Sequence, residues 1–145
     1  MTRTRKLTCP LWTACLLLAV VVLGVASMES QEQGRVIALL ADRDSRYKMA
    51  GLSHPAITMK PGEHVVLRIT ARKAHGANRD GSVHGFVLTR AGTGVKVPGW
   101  DLLLKPGTQD LALIAPLEPG EYVALCTVIC SQDHEGMRLK VFVTE

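Results

Sequence analysis

From about residue 29 onward the chain is cut into short apolar segments by closely spaced turn residues, and this punctuation constrains the fold more than any other feature. In "EHVVLRIT" the residues Val65, Leu67 and Ile69 fall on one face, the period-two pattern of a half-buried strand. Comparable segments are "GRVIALLA", "AITMK", "VHGFVLT", "GVKVPGWDLLL", "QDLALIA", "EYVALC" and "MRLKVFV". Between them lie turns at Pro61-Gly62, Lys105-Pro106-Gly107 and Pro119-Gly120, a charged irregular stretch "DRDSRYKMAGLSHP", and "ARKAHGANRDGS", which has the composition of a loop. No segment beyond residue 28 carries a helical period over about twelve residues. About seven strands at this spacing predict an all-β antiparallel sandwich or barrel.

Residues 1–28 stand apart. Arg3, Arg5 and Lys6 precede an apolar run, from about Leu11 to Met28, that holds no charge. Positive residues ahead of such a run mark a membrane-inserted segment with its N-terminus inside. At about eighteen residues the run lies between a short spanning helix and a signal peptide. We read 1–28 as an N-terminal membrane helix, with a signal peptide cleaved near "GVAS" as the alternative. Residues 29–145 then form one domain on the outer, periplasmic side, long enough to bury a core. Cys15 does not follow the apolar run, so a lipobox reading fails. The 17 Lys and Arg outnumber the 13 Asp and Glu. Once Arg3, Arg5 and Lys6 are assigned to the anchor, the domain is close to neutral. The basic balance therefore reflects topology and gives no case for nucleic-acid binding.

Metal-binding chemistry concentrates in "ALCTVICSQDHEGMRLKVFV", which holds Cys126, Cys130, His134 and Met137. An earlier histidine, His84, sits in the strand "VHGFVL", and a Greek-key sandwich can bring one strand end beside a loop between two later strands. Met137 shares its parity with Leu139, Val141 and Val143, which directs the thioether inward. Soft sulfur with imidazole selects copper or zinc, and a thioether weighs against zinc. Copper fits best. His84, Cys130, His134 and Met137 alone would form a blue-copper site. Cys126 adds a second thiolate, and two thiolates can bridge two coppers, each completed by one histidine. Met137 then caps one ion weakly, and the Val128 carbonyl is the natural cap for the other. Such a pair shares one electron and rearranges little on reduction, which suits electron transfer.

The order His84, then C-x3-C-x3-H-x2-M, resembles the binuclear CuA centre of cytochrome c oxidase subunit II. The likeness extends through "VHGF", "GVK", "PGEYVALC" and the final strand. With one N-terminal membrane segment, the chain is most similar to the short, one-helix subunit II of B-type haem-copper oxidases. That resemblance implies a cupredoxin-like Greek-key β-sandwich and a two-copper cofactor. It implies a cytochrome c or small copper protein as electron donor and haem-copper oxidase subunit I as acceptor. Three departures stand out. Val128 occupies the place where many members carry Glu, whose side chain also helps hold a magnesium ion. The early strand lacks the family's aromatics, with Tyr47 alone in that region. The loop "ARKAHGANRDGS" is longer and more basic than usual.

Plainer readings exist for each residue. Cys126 and Cys130 could pair as a disulfide, Met137 could be core filler, and His84 a satisfied core histidine; Gly85, allowing close approach, favours the ligand reading. His75 is a rival first ligand, but in a flexible polar loop. His54 and His64 read as surface residues, and Tyr122 as a pin for a loop. Trp100 reads as packing or, alternatively, as an exposed docking aromatic. Asp133 and Glu135 read as solvated charges or as docking charges for a basic donor. Two rivals to the oxidase subunit remain: a freestanding anchored CuA or cupredoxin carrier for another reductase, and a periplasmic copper chaperone. In none of these is the isolated chain a catalyst, because no acid, base or nucleophile arrangement lies beside the ligands. Copper loading requires reduced thiols.

Overall fold

The computed structural model describes residues 34–145, so the expected membrane helix over 1–28 lies outside it. Alternation in sequence becomes alternation in burial. Within β4 (His64–Ala71) the side chains of Val65, Leu67 and Ile69 are buried, as the pattern predicts. β1 (Arg35–Ala41) does the same with Ile37, Leu39 and Ala41. The remaining strands are β2 (Tyr47–Lys48), β3 (Ala56–Met59), β5 (His84–Arg90), β6 (Lys96–Leu104), β7 (Gly107–Ile114), β8 (Gly120–Leu125) and β9 (Arg138–Val143). A single 3-10 turn, His134–Gly136, is the only helical element among the described residues.

The strands form a four-stranded sheet in the order β2-β1-β4-β7 and a five-stranded sheet in the order β3-β9-β8-β5-β6. The fold is all-β, but the expectation of an antiparallel sandwich needs correction. β1 pairs with β4 in parallel, and so does β3 with β9; the other pairings are antiparallel. Each parallel pair joins strands that are not consecutive, which the long connections between them permit. The "DRDSRYKMAGLSHP" stretch also contributes a strand: β2 pairs with the end of β1, setting Ala41 opposite Tyr47.

Between the sheets lies one core, in which Ile37, Leu67 and Ile69 meet Phe86, Trp100, Leu139 and Val141. Removing an apolar side chain of this size from water stabilises the fold by about 1.5–3 kcal/mol. Tyr47 packs edge-on against Phe86, with ring centroids 5.3 Å apart. Trp100 is 2% exposed, and its Nε1–H donates to the Ile114 carbonyl at 2.8 Å. This bond ties β6 of one sheet to β7 of the other, so Trp100 packs and does not present a docking surface. Tyr122 pins its loop as expected, its hydroxyl donating to the Glu118 carbonyl at 2.8 Å. His54 and His64 are exposed.

Candidate metal centre

Strand register brings the first histidine to the cysteine loop. β5 and β8 run antiparallel with Val87 opposite Leu125, so beyond the end of β8 the chain continues alongside Gly85. The approach is close enough to require glycine: a Cβ on Gly85 would stand 2.8 Å from the Thr127 amide nitrogen. The same closeness lets the Gly85 N–H donate to Cys126 Sγ at 3.4 Å. The Tyr47 hydroxyl donates to the Gly85 carbonyl and holds this glycine from its other side.

His84, the first residue of β5, is fully buried. Its Nε2–H is matched to the Arg72 carbonyl at 2.9 Å, and its Nδ1 is a buried polar atom without a hydrogen-bond partner among the described residues. Burial holds the ring below its ordinary value of 6.5, against the Arg72 carbonyl, which favours the protonated form. The imidazole is thus neutral at physiological pH, its proton fixed on Nε2 and its lone pair on Nδ1. An orphaned acceptor of this kind is costly unless something else uses it.

Two sulfurs share that space. Cys126 and Cys130 are free, buried, and have their Sγ atoms 3.8 Å apart. The ligand atoms of His84, Cys126 and Cys130 all lie within 4.8 Å of one another. Burial pushes the Cys126 thiol up, while the bond from Gly85 N–H pulls it down. Between the cysteines the loop curls so that the Val128 carbonyl lies 3.4 Å from Cys126 Sγ; it also accepts the Cys130 N–H at 2.7 Å.

Met137 is fully buried, one residue ahead of β9, and alternates inward with Leu139, Val141 and Val143 as expected. Its carbonyl accepts the Cys126 N–H at 3.2 Å, which places the start of β9 against the start of the cysteine loop. His134 begins the 3-10 turn and is half-buried. Its Nδ1 stands 3.0 Å from the Ser131 carbonyl, and it is not one of the three residues whose ligand atoms converge within 4.8 Å. Asp133 and Glu135 are exposed on either side of it.

Other contributors were not legible as site residues. The loop "ARKAHGANRDGS" is not a loose connection. The N–H groups of His75 and Gly76 both donate to the Cys130 carbonyl, at 3.1 and 2.9 Å. A Cβ on Gly76 would run into the Ile129 carbonyl oxygen, so glycine is needed here too. The loop is braced internally by Asp80, which accepts the Ser82 N–H at 3.0 Å and the Ser82 hydroxyl at 2.7 Å. His75 therefore serves the site through its backbone. Ser45 brings its hydroxyl to 3.6 Å from Cys130 Sγ. A glycine directly after a histidine in a polar loop was the one sequence signal for the first contact; Ser45 offered none.

The donor set fits copper. It pairs an oriented, neutral imidazole bearing an unused buried nitrogen with two soft sulfurs, all three buried.

No family model matches the sequence, and no curated protein matches it. Among solved structures the chain is similar to auracyanin B, at 17% identity over 77% of this chain and 89% of that chain, with a TM-score of 0.51. It is similar to auracyanin A, a blue copper protein of Chloroflexus aurantiacus, at 16% identity over 75% of this chain and 98% of that chain, with a TM-score of 0.50. A chain of a heme-copper terminal oxidase dimer also aligns, at 18% identity over 91% of this chain and 90% of that chain, with a TM-score of 0.48. The described residues have a cupredoxin-like fold.

Proposed function

We propose that this chain is a copper electron-transfer protein with a binuclear CuA centre. Its ligands are His84, Cys126, Cys130, His134 and Met137, with the Val128 carbonyl as the sixth. In this reading the 1–28 segment anchors the domain on the outer face of a membrane as the electron-entry subunit of a haem-copper oxidase. Electrons arrive from a cytochrome c or small copper protein and pass to subunit I.

One observation carries the reading: the unpartnered, buried His84 Nδ1 converges with two free sulfurs 3.8 Å apart. A single sulfur would suffice for a mononuclear site, and a disulfide between the two would leave the buried His84 Nδ1 unused. Copper, when bound, supplies one-electron chemistry with little rearrangement. The protein's part is to hold the donors fixed. The Arg72 carbonyl orients His84, Gly85 N–H bonds Cys126, and the clamp from His75 and Gly76 positions the Cys130 backbone. Cys130 and Met137 are wholly shielded from solvent, whereas half-buried His134 lies toward the surface. In this reading an electron from a docked partner enters on the His134 side. The order of the ligands in sequence supports the binuclear form over a mononuclear one.

The test is to reduce the full chain, load it with copper, and measure metal content and the electron paramagnetic resonance spectrum. Two coppers per chain, with hyperfine structure from an electron shared between them, is the expected result. One copper with a mononuclear signal would make the chain a blue-copper-type carrier, and tight Cu(I) binding without stable Cu(II) would make it a chaperone.

A further inference from the structure

Ser45 is a buried residue in a conformation that serine rarely adopts. It is 3% exposed, with φ at 56°, and no other described non-glycine residue has positive φ. It occupies the tight turn between β1 and β2, where the Ser45 N–H donates to the Asp42 carbonyl at 3.1 Å and the Asp42 N–H to the Arg46 carbonyl at 3.0 Å. Turns of this shape ordinarily put glycine or asparagine at the left-handed position. A strained residue that persists where glycine would fit points to a role for its side chain.

The side chain ends a connected line of polar groups. The Asp133 N–H donates to the Ser131 hydroxyl at 3.0 Å. The Ser131 and Ser45 oxygens are 2.6 Å apart, and Ser45 Oγ is 3.6 Å from Cys130 Sγ. Chemistry fixes the direction once Cys130 is a thiolate. A backbone N–H only donates and a thiolate only accepts, while each hydroxyl has one proton to give. The protons must therefore run from Asp133 to Ser131, from Ser131 to Ser45, and from Ser45 to the sulfur. Aligned bonds of this kind polarise one another and strengthen the last one.

Resting on the copper reading above, we propose that Ser45 is a positioning residue that tunes the metal through Cys130. Its hydroxyl, primed by Ser131, draws electron density from the Cys130 sulfur, weakens thiolate donation to the oxidised centre and raises the reduction potential. Hydrogen bonding around a ligating sulfur is an established lever on potential. The two sulfurs are then unequal. Cys126 takes its bond from the backbone of Gly85, whereas Cys130 takes it from a side chain.

The deciding variant is Ser45→Gly, because glycine suits the turn and only the hydroxyl is lost. In the copper-loaded full chain, equal copper content is expected, with a lower reduction potential and the thiolate-to-copper absorption band moved to lower energy. Losing one hydrogen bond of ordinary net strength corresponds to roughly a fivefold shift in the oxidised-to-reduced ratio, or about 40 mV for one electron. Ser131→Ala, which removes only the priming bond, is expected to move both in the same direction by less. An unchanged potential and band in Ser45→Gly at full copper content would overturn the proposal while leaving the copper reading intact. The reduced, metal-free chain gives an independent reading: the wild-type-minus-variant infrared difference spectrum is expected to show a displaced S–H stretching band. A flat difference spectrum would overturn the contact itself. A displaced band in a chain that binds no copper would overturn the copper reading and the tuning role with it.

Discussion

The two cysteines are four residues apart and are held by different parts of the molecule. Cys126 is an extension of the sheet. It follows directly on β8, receives the Gly85 N–H from the neighbouring strand, and bonds through its own N–H to the Met137 carbonyl at the edge of β9. Cys130 is held by loops that have no part in that sheet. Its carbonyl is clamped by His75 and Gly76, and its sulfur faces Ser45, a residue 85 positions away in sequence. One sulfur is placed by strand register and the other by the meeting of three loops. The site therefore has a rigid half and an assembled half, and disturbing either should leave a different signature.

Gly85→Ala attacks the rigid half. The added methyl meets the Thr127 backbone, and overpacking at a strand–loop contact of this kind is expected to cost about 3 kcal/mol. Denaturant unfolding of the metal-free chain measures the cost, and copper capacity should fall with it. Gly76→Ala attacks the assembled half. Here the Cβ would stand 2.3 Å from the Ile129 carbonyl oxygen, a backbone atom, so a cost of about 3 kcal/mol is expected here too. The β-sheet circular dichroism should be retained while copper affinity declines. If Gly76→Ala also loses the β-sheet signal, the division into halves is wrong.

Met137→Leu sharpens the comparison at the junction of the halves. The swap conserves volume in a fully buried position, so the metal-free fold should lose less than about 1.5 kcal/mol. Loss of the thioether should nevertheless alter the copper spectrum; an identical spectrum would remove Met137 from the ligand set.

The smallest expected effect is on pH dependence. Burial keeps the His84 pKa in the folded chain below its ordinary 6.5. Between the two values the unfolded chain binds more protons, so stability increases with pH there. The metal-free chain should be unaffected above that window and lose stability as pH falls below 6.5 through the folded value. His84→Gln should flatten this dependence. Denaturation midpoints at about pH 7.5 and about pH 5.5 provide the check. An unchanged slope in the variant would assign the effect elsewhere.

Much of the rigid half was legible in the sequence because its signals are local. The parity of Met137 with Leu139, Val141 and Val143 marked its buried face, as the alternation of Val65, Leu67 and Ile69 did in the other sheet. His84 and Cys126 converge because adjacent strands bring them together. Parallel pairing of β1 with β4 and β3 with β9 was not legible, since no local pattern names a strand's partner. Nor was the bracing of Cys130. "ARKAHGANRDGS" has the composition of a free loop, yet its order comes from bonds to a carbonyl more than fifty residues away. Ser45 lacks any periodic or motif signal, and its role depends on a backbone angle that sequence does not display.

The placement of β8 beside β9 has a consequence for how the protein comes into being. These strands are consecutive in the chain, so their hairpin closes over the loop 126–137, whereas the loops that shelter Cys130 arrive from more than fifty residues away, which is slower. The thiols are consequently gathered into one loop before Ser45 and the His75–Gly76 clamp have covered them. During that interval they are close together, unshielded and ready to oxidise to each other, so the hazard to this site is greatest while the chain is being made and least once it is complete.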